Sequence, residues 1–552
     1  MPLRCFFVFV IALFIIAEAP YSGAQAPQQK DQKEQKELFS EVDGVVTIGG
    51  KKIEYKATTG RLPVKDLTGK ATAKVNFTAY VRTIEGAPGN RPITFAFGGG
   101  PGSSSQSLHI GLFGPRRLLI DEDGKSLPLP PKLVENDTSV LDVTDVVIIE
   151  PVSVGFSRAD DPKDAKLFHG LEEDTHAVGD FIRAYLSKYE RAASPTYIAG
   201  LSYGTTRAAA LSRYLPTKGG VKLAGVVLLA VVLDFQTIDF GPANDMPYSL
   251  YLPTYTAAAF HHNKLDKAWA TDLATALKES AQFANGPYTL ALNKGNLLTD
   301  EERRATAKSM AKLMGVSQDF VLKSDLRVSA AKFRSELLRD SQELIGRYDS
   351  RVKAKVKGGG KGGGGDPSST LLSAPYTEAL NAYFVNELKY KTDLKYVTQG
   401  QVQPWSYGKA GTNKYANVAP RLRAALESDK NLRVLVASGY FDLATPYAAT
   451  EFTFAHLGPK PLMDRVSLKY YEAGHAMYSH QPSRRQLTED IRKFIASAPA
   501  KPGGVPKLYP LVLAPFPAQS RLATNFWMRS PSTSATYTAP CESTHNMCGM
   551  PN

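Results

Sequence analysis

Between residues 41 and 84, apolar and polar side chains alternate at every second position. "GVVTIGGKKIEYKA" sets two such runs about a Gly-Gly turn, and "ATAKVNFTAYVRTI" continues them. This predicts antiparallel strands. Beyond residue 90 the pattern changes. Short apolar runs at Ile93–Phe97, Val146–Ile149, Tyr197–Ala199 and Leu223–Leu229 are joined by helical patterns, notably Glu172–Tyr189 and Thr205–Leu215. Buried strands alternating with helices predict a mostly parallel α/β sheet. From about Asp234 to Lys430 the strand rhythm stops. "LDKAWATDLATALKESAQFA", "TDEERRATAKSMAKLM" and "SAAKFRSELLRDSQELIGRY" have helical spacing and capped starts. Sheet-like runs resume at Leu432–Ala437 and Val466–Tyr471. The expected organisation is one α/β domain in two parts, 41–233 and 431–499, interrupted by a mostly helical insertion at 234–430.

The ends of the chain read differently. Residues 1–24 hold Arg4, an apolar run from Cys5 to Ala17, and small residues Ser22 and Ala24 before a cleavage point. This is the pattern of a secretory signal, and the run is short for a membrane span. A polar leader follows at 25–40, and a tail rich in Pro, Ser and Tyr occupies 500–552. The expectation is an exported protein, periplasmic or secreted, with no integral membrane span. Of three cysteines, Cys5 lies in the signal and Cys541 and Cys548 in the tail, so the core holds by packing alone. The tail pair reads as a small disulfide loop or free thiols. With His545 the spacing is loosely metal-like but lacks a fourth ligand, so no metal is expected.

Composition changes this picture little. Hydrophobic residues make up 43% of 552 and charged residues 22%, ordinary for a globular protein. The net charge of +13 is spread along the chain without a nucleic-acid-binding signature, and no nucleic-acid partner is expected. "KGGGKGGGGDPSS" (357–369) has the glycines of a phosphate loop, but neither its Gly-Lys-Ser/Thr ending nor a preceding strand. It reads as a flexible surface loop.

The chemistry concentrates elsewhere. Gly200-Leu201-Ser202-Tyr203-Gly204 matches G-x-S-x-G between a strand pattern and a helical pattern, the setting of a nucleophile elbow. A serine hydroxyl needs a base, and the base needs a carboxylate to orient it. On such a sheet they follow in the order Ser, acid, His. "LRVLVASGYFDLATP" places Asp442 just past a strand, and "VSLKYYEAGHAMYSHQP" places His475 past the next, beside Gly474. His480 is the nearest competitor among nine histidines; His261 and His262 fall in the helical insertion. Acyl transfer also needs two N–H donors for the oxyanion. One is the amide of Tyr203; the other belongs in a glycine-rich loop after an early strand, where "FGGGPGSSS" (97–105) stands. A phosphate cradle is disfavoured there, because Pro101 lacks an N–H and no P-loop lysine follows.

Taken together, "GGGPGSSS", "EPVSVGFSRA", "GLSYG", "SGYFDLATP" and "AGHAMYSHQP" resemble, in order, the motifs of the serine carboxypeptidase family of α/β-hydrolases. The resemblance spans most of residues 90–490 and implies an α/β-hydrolase fold with a helical cap over the substrate cleft. It implies Ser202 as nucleophile, Asp442 as orienter, His475 as general base, and oxyanion amides from Gly100 and Tyr203, with no cofactor. The implied substrate is a peptide, or an ester on the same scaffold; a non-catalytic binding protein is the third reading. Three departures concern specificity. Gly98 stands where the family has an Asn that helps hold the substrate's free carboxylate. Leu201 replaces the family's Glu before the serine, and Leu112 occupies the place of a second Glu. The family's loop cysteine is Ser103 here. The substrate-facing positions expected from the motifs are Gly98, Gly99 and Leu201. Arg116, Arg117 or Arg158 is the expected replacement for the lost acids, shifting the optimum towards neutral pH.

Overall fold

The computed structural model describes residues 39–84, 90–125, 127–356, 365–369 and 374–497. The signal, nearly all of the leader, most of the glycine-rich loop, and the tail with its cysteines lie outside the described residues. Three strands, β1 (Ser40–Ile48), β2 (Lys51–Lys65) and β3 (Thr72–Arg82), pair antiparallel along one edge of the main sheet. Six more follow: β4 (Ile93–Phe97), β5 (Asp145–Glu150), β6 (Thr196–Leu201), β7 (Leu223–Leu229), β8 (Arg433–Gly439) and β9 (Val466–Tyr471). The order across the sheet is β1-β2-β3-β5-β4-β6-β7-β8-β9. Every neighbouring pair from β5 to β9 is parallel. The expected fold class, a mostly parallel sheet with antiparallel strands at its start, is the one that forms.

The parallel strands are apolar because both faces are covered. In β5, Val147 and Ile149 pack into the core on one face while Val146 and Ile148 pack into the core on the other. Helices α1 (Leu171–Lys188) and α2 (Tyr203–Tyr214) contribute to the first core, and helices Ala374–Asn386 and Gln481–Ala496 to the second. α1 carries Glu172, Glu173 and Asp174 in its first turn and Lys188 in its last, in agreement with the helix dipole. Register sets the functional edge. Phe97 of β4 pairs with Gly200 of β6, and Gly439 of β8 with Tyr471 of β9. The loops after these four strands thus emerge at the carboxyl ends of parallel strands, where such sheets bind ligands.

Between β7 and β8 lie helices with a core that includes Tyr255, Met310 and Phe333 and is joined by Leu443 from the loop after β8. Helix Asp300–Met314 starts at a Thr299/Glu302 capping box and stops at Gly315, at φ 64°. The first expected helix begins late, at Leu273, where Asp272 accepts the Thr275 N–H at 2.8 Å. The expectation of a long helix from 329 to 348 needs correction. Helix Ala330–Glu336 ends early, and the chain turns at Gln342, whose φ is 53°. It then forms a two-strand hairpin, Glu343–Ile345 with Lys353–Lys355. Ile345 is fully buried in the insertion's core, and this packing outweighs the helical spacing of the segment. Among the described residues no helix is long and apolar enough to cross a membrane.

One buried charge network fixes the start of the parallel sheet. Asp145, fully buried at the head of β5, pairs with Arg191 at 2.7 Å and Arg91 at 2.8 Å and accepts the Arg82 N–H at 3.0 Å. Removing the carboxylate leaves the buried Arg191 uncompensated. Asp145→Ala is therefore expected to cost about 3–5 kcal/mol in denaturant unfolding. Asp145→Asn, which keeps hydrogen-bonding capacity, is expected to cost less.

Candidate active site

Ser202 stands between β6 and α2 with φ 59° and ψ −127°. A non-glycine residue adopts this geometry only where its surroundings impose it. They do so here by crowding. A Cβ on Gly200 would lie 2.1 Å from the Gly204 carbonyl oxygen, and one on Gly204 would lie 2.7 Å from that of Gly98. The turn is held by the Ser202 N–H donating to the Leu229 carbonyl at 2.9 Å and the Thr205 N–H donating to the Ser202 carbonyl at 2.8 Å. Tyr203, the first helical residue, has an N–H with no partner in its own helix turn.

The glycine loop lies directly against this turn. A Cβ on Gly99 would stand 2.5 Å from the Leu201 oxygen, 2.8 Å from the Tyr203 nitrogen and 2.9 Å from the Ser202 Cβ. Gly99 is therefore the residue whose missing side chain lets loop and turn touch. Gly100 follows at φ 108°. The Gly98 N–H is used by Ser105 Oγ at 2.9 Å, and a Cβ at Gly98 would meet the Ser104 oxygen at 2.5 Å. A side chain does not fit at position 98 without moving the loop. Leu201, at the end of β6, packs into the second sheet core.

Asp442 and His475 follow β8 and β9 and meet. His475 Nδ1 and Asp442 Oδ2 are 2.7 Å apart, the carboxylate fully buried and the imidazole nearly so. The other contacts of Asp442 fix its plane: the N–H groups of Ala444 and Thr445 donate to Oδ1 at 2.8 and 3.1 Å, and the Thr445 hydroxyl to Oδ2 at 2.6 Å. Its two loops cross closely, since a Cβ on Gly439 would lie 2.3 Å from the Ala473 oxygen. His480, by contrast, bonds Ser483 at 2.7 Å, and His262 bonds the Ser350 carbonyl at 2.7 Å.

The arginines expected at the cleft are engaged elsewhere. Arg116 pairs with Glu387 at 2.7 Å and Arg117 with Asp137 at 3.5 Å. Arg158 sits in a two-residue strand beside β3 and donates to the carbonyls of Gly155, Ser157 and Lys395. Each guanidinium is thus engaged by groups of the protein itself.

Two groups that the motifs do not flag shape the glycine loop. Buried Arg207 of α2 donates to Asp174 at 2.6 Å and to the Gly98 carbonyl at 2.7 Å, and stacks on Phe97 and Tyr203. A lone arginine among the alanines of "TTRAAAL" is the available sequence signal for it. Glu150, also buried, accepts the Ser105 N–H at 2.8 Å and the Tyr396 hydroxyl at 2.6 Å. Burial pushes its carboxyl up to about 7, with the Tyr396 and Ser105 bonds opposing that shift.

Residues 55–234 match the serine carboxypeptidase family. The matched residues carry the glycine loop, Glu150, the Ser202 turn and Arg207; Asp442 and His475 lie beyond them. The chain is a serine hydrolase of the α/β-hydrolase fold. Among solved structures it is similar to Kex1Δp, a prohormone-processing carboxypeptidase from Saccharomyces cerevisiae, at 15% identity and a TM-score of 0.45, covering 80% of this chain and 90% of that one. It is also similar to a thermostable carboxyl esterase from Bacillus coagulans, at 12% identity and a TM-score of 0.32, covering 79% of this chain and 97% of that one. No curated protein matches the chain.

Glu150 gives the protein a testable pH dependence. Between its ordinary value of 4.5 and about 7, the folded protein holds a proton that the unfolded chain has released. Stability from the neutral carboxyl is full at the low end of this window and is lost as pH rises through it, on the order of 3 kcal/mol. Thermal melts across the window are expected to show that decline in the wild type and to lose most of it in Glu150→Gln.

Proposed function

We propose that this chain is an exported serine-type carboxypeptidase whose recognition of the substrate's carboxyl end differs from the family pattern. The observation that carries the mechanism is the 2.7 Å contact between His475 Nδ1 and Asp442, on the same sheet edge as the strained Ser202 turn. With Nδ1 committed to the carboxylate, Nε2 is left to accept the Ser202 hydroxyl proton. Ser202 Oγ attacks the scissile carbonyl. The amides of Gly100 and Tyr203 receive the developing oxyanion, and the proton on His475 passes to the leaving amine. Water, deprotonated by His475, then releases the acyl group from Ser202.

An esterase or acyltransferase on the same scaffold is the second reading. It is favoured by one feature: position 98 has no room for a side chain, and apolar Leu201 precedes the serine. Neither offers a polar group for a free carboxylate.

A fluorophosphonate is expected to label the wild type and not Ser202→Ala, and the substitution is expected to reduce turnover by a factor of at least about 1,000. Mass spectrometry of a digested peptide mixture is expected to show stepwise loss of carboxyl-terminal residues. Internal cleavage, or ester hydrolysis with no trimming, would reject the carboxypeptidase reading while leaving the serine hydrolase intact.

A further inference from the structure

The turn that replaces the expected end of the long helix lies on the His475 loop. Residues 347–350 make three main-chain bonds to the two loops of the site. The Leu443 N–H donates to the Arg347 carbonyl at 3.0 Å, and the His475 N–H to that of Tyr348 at 2.6 Å. The Ser350 N–H donates to the Phe441 carbonyl at 2.9 Å. The Tyr348 ring stands 5.2 Å from the imidazole of His475, centre to centre.

Three arginines belong to this neighbourhood, and they differ in one respect. Arg351 is buried and closed by Asp349, through Nε at 3.0 Å and Nη2 at 2.6 Å. Arg334 pairs with Asp366 at 3.4 Å and donates to the Ile345 carbonyl at 2.9 Å. Arg347 is exposed, and among the described residues no carboxylate lies within ion-pair distance of it. Its guanidinium instead stands 5.4 Å from the centre of the Tyr348 ring, on the residue that touches His475. Its backbone is fixed at both ends, because its own N–H donates to Asp366 at 2.8 Å.

We propose that Arg347 binds the terminal carboxylate of the peptide substrate and so restricts cleavage to the carboxyl end. The proposal rests on the carboxypeptidase reading of the site. A guanidinium matches a carboxylate with two parallel N–H donors. Beside His475 it supplies an exposed positive charge, whereas Gly98 and Leu201, at the Ser202 turn, supply no polar side chain. Support by Tyr348 makes the anchor part of the surface that holds His475, so the substrate's end and the reacting bond are referenced to one segment. Arg116 and Arg158 already have the partners described above.

The test uses one peptide made as the free acid and as the carboxyl-terminal amide, with kcat and KM measured for wild type, Arg347→Gln and Arg347→Lys. Wild type is expected to prefer the acid. Arg347→Gln is expected to raise KM for the acid by about ten- to a hundredfold, erasing the preference. The loss is expected in KM rather than kcat, with Arg347→Lys retaining part of the preference. A wild-type melting temperature and wild-type fluorophosphonate labelling identify Arg347→Gln as folded. An undiminished acid preference in that variant overturns the proposal and leaves the carboxypeptidase reading standing. Failure of the wild type to trim either peptide, despite labelling, overturns both.

Discussion

The arrangement at the sheet's carboxyl edge depends on a single buried cation. Arg207 has almost no contact with water, so its charge must be answered from within. Asp174 answers it with a charge, the Gly98 carbonyl with a dipole, and Phe97 and Tyr203 with ring faces. These partners come from α1, the glycine loop, β4 and the residue after Ser202. A carboxylate in such a place is itself penalised, and burial holds Asp174 above the usual range despite the neighbouring guanidinium. Such pairs are weak sources of net stability, but removing one partner is costly. In this molecule the pair joins three elements whose relative positions the proposed chemistry needs.

Much of this edge was legible in the chain. The apolar runs named the central strands to within a residue or two, because strands covered on both faces have nowhere to place polar residues. The G-x-S-x-G spacing located the turn, since only glycine tolerates the 2.1 Å approach found at Gly200. Gly439 and Gly474 likewise marked where two loops cross. The spacing of 329–348 predicts a long helix because helical spacing is a local signal, whereas the burial of Ile345 and the docking of Tyr348 on the His475 loop are not. Arg116 and Arg158 are expected at the cleft from their nearness in sequence to the motifs. Their partners, Glu387 and the Lys395 carbonyl, lie more than two hundred residues away. No single-sequence pattern announces such contacts.

The insertion is thereby more than a cover. Tyr396 reaches Glu150 beneath the glycine loop, and the carbonyl of Thr398 accepts the Ser104 N–H at 2.8 Å. At the other end of the site, Tyr348 receives the His475 amide. Both the loop proposed to bind the oxyanion and the loop proposed to move the proton rest on residues from between β7 and β8. Two of these three contacts are main-chain bonds, which are insensitive to the side chains at those points.

The bond from the His475 amide to the Tyr348 carbonyl also limits how this fold can diversify. Any substitute for the segment between β7 and β8 has to bring a carbonyl to the same point. Here a transplanted segment with no carbonyl at that point would leave a buried N–H unpaired on the histidine itself. Side chains beside the contact, such as Arg347, are free to change, while the backbone path through Tyr348 is not.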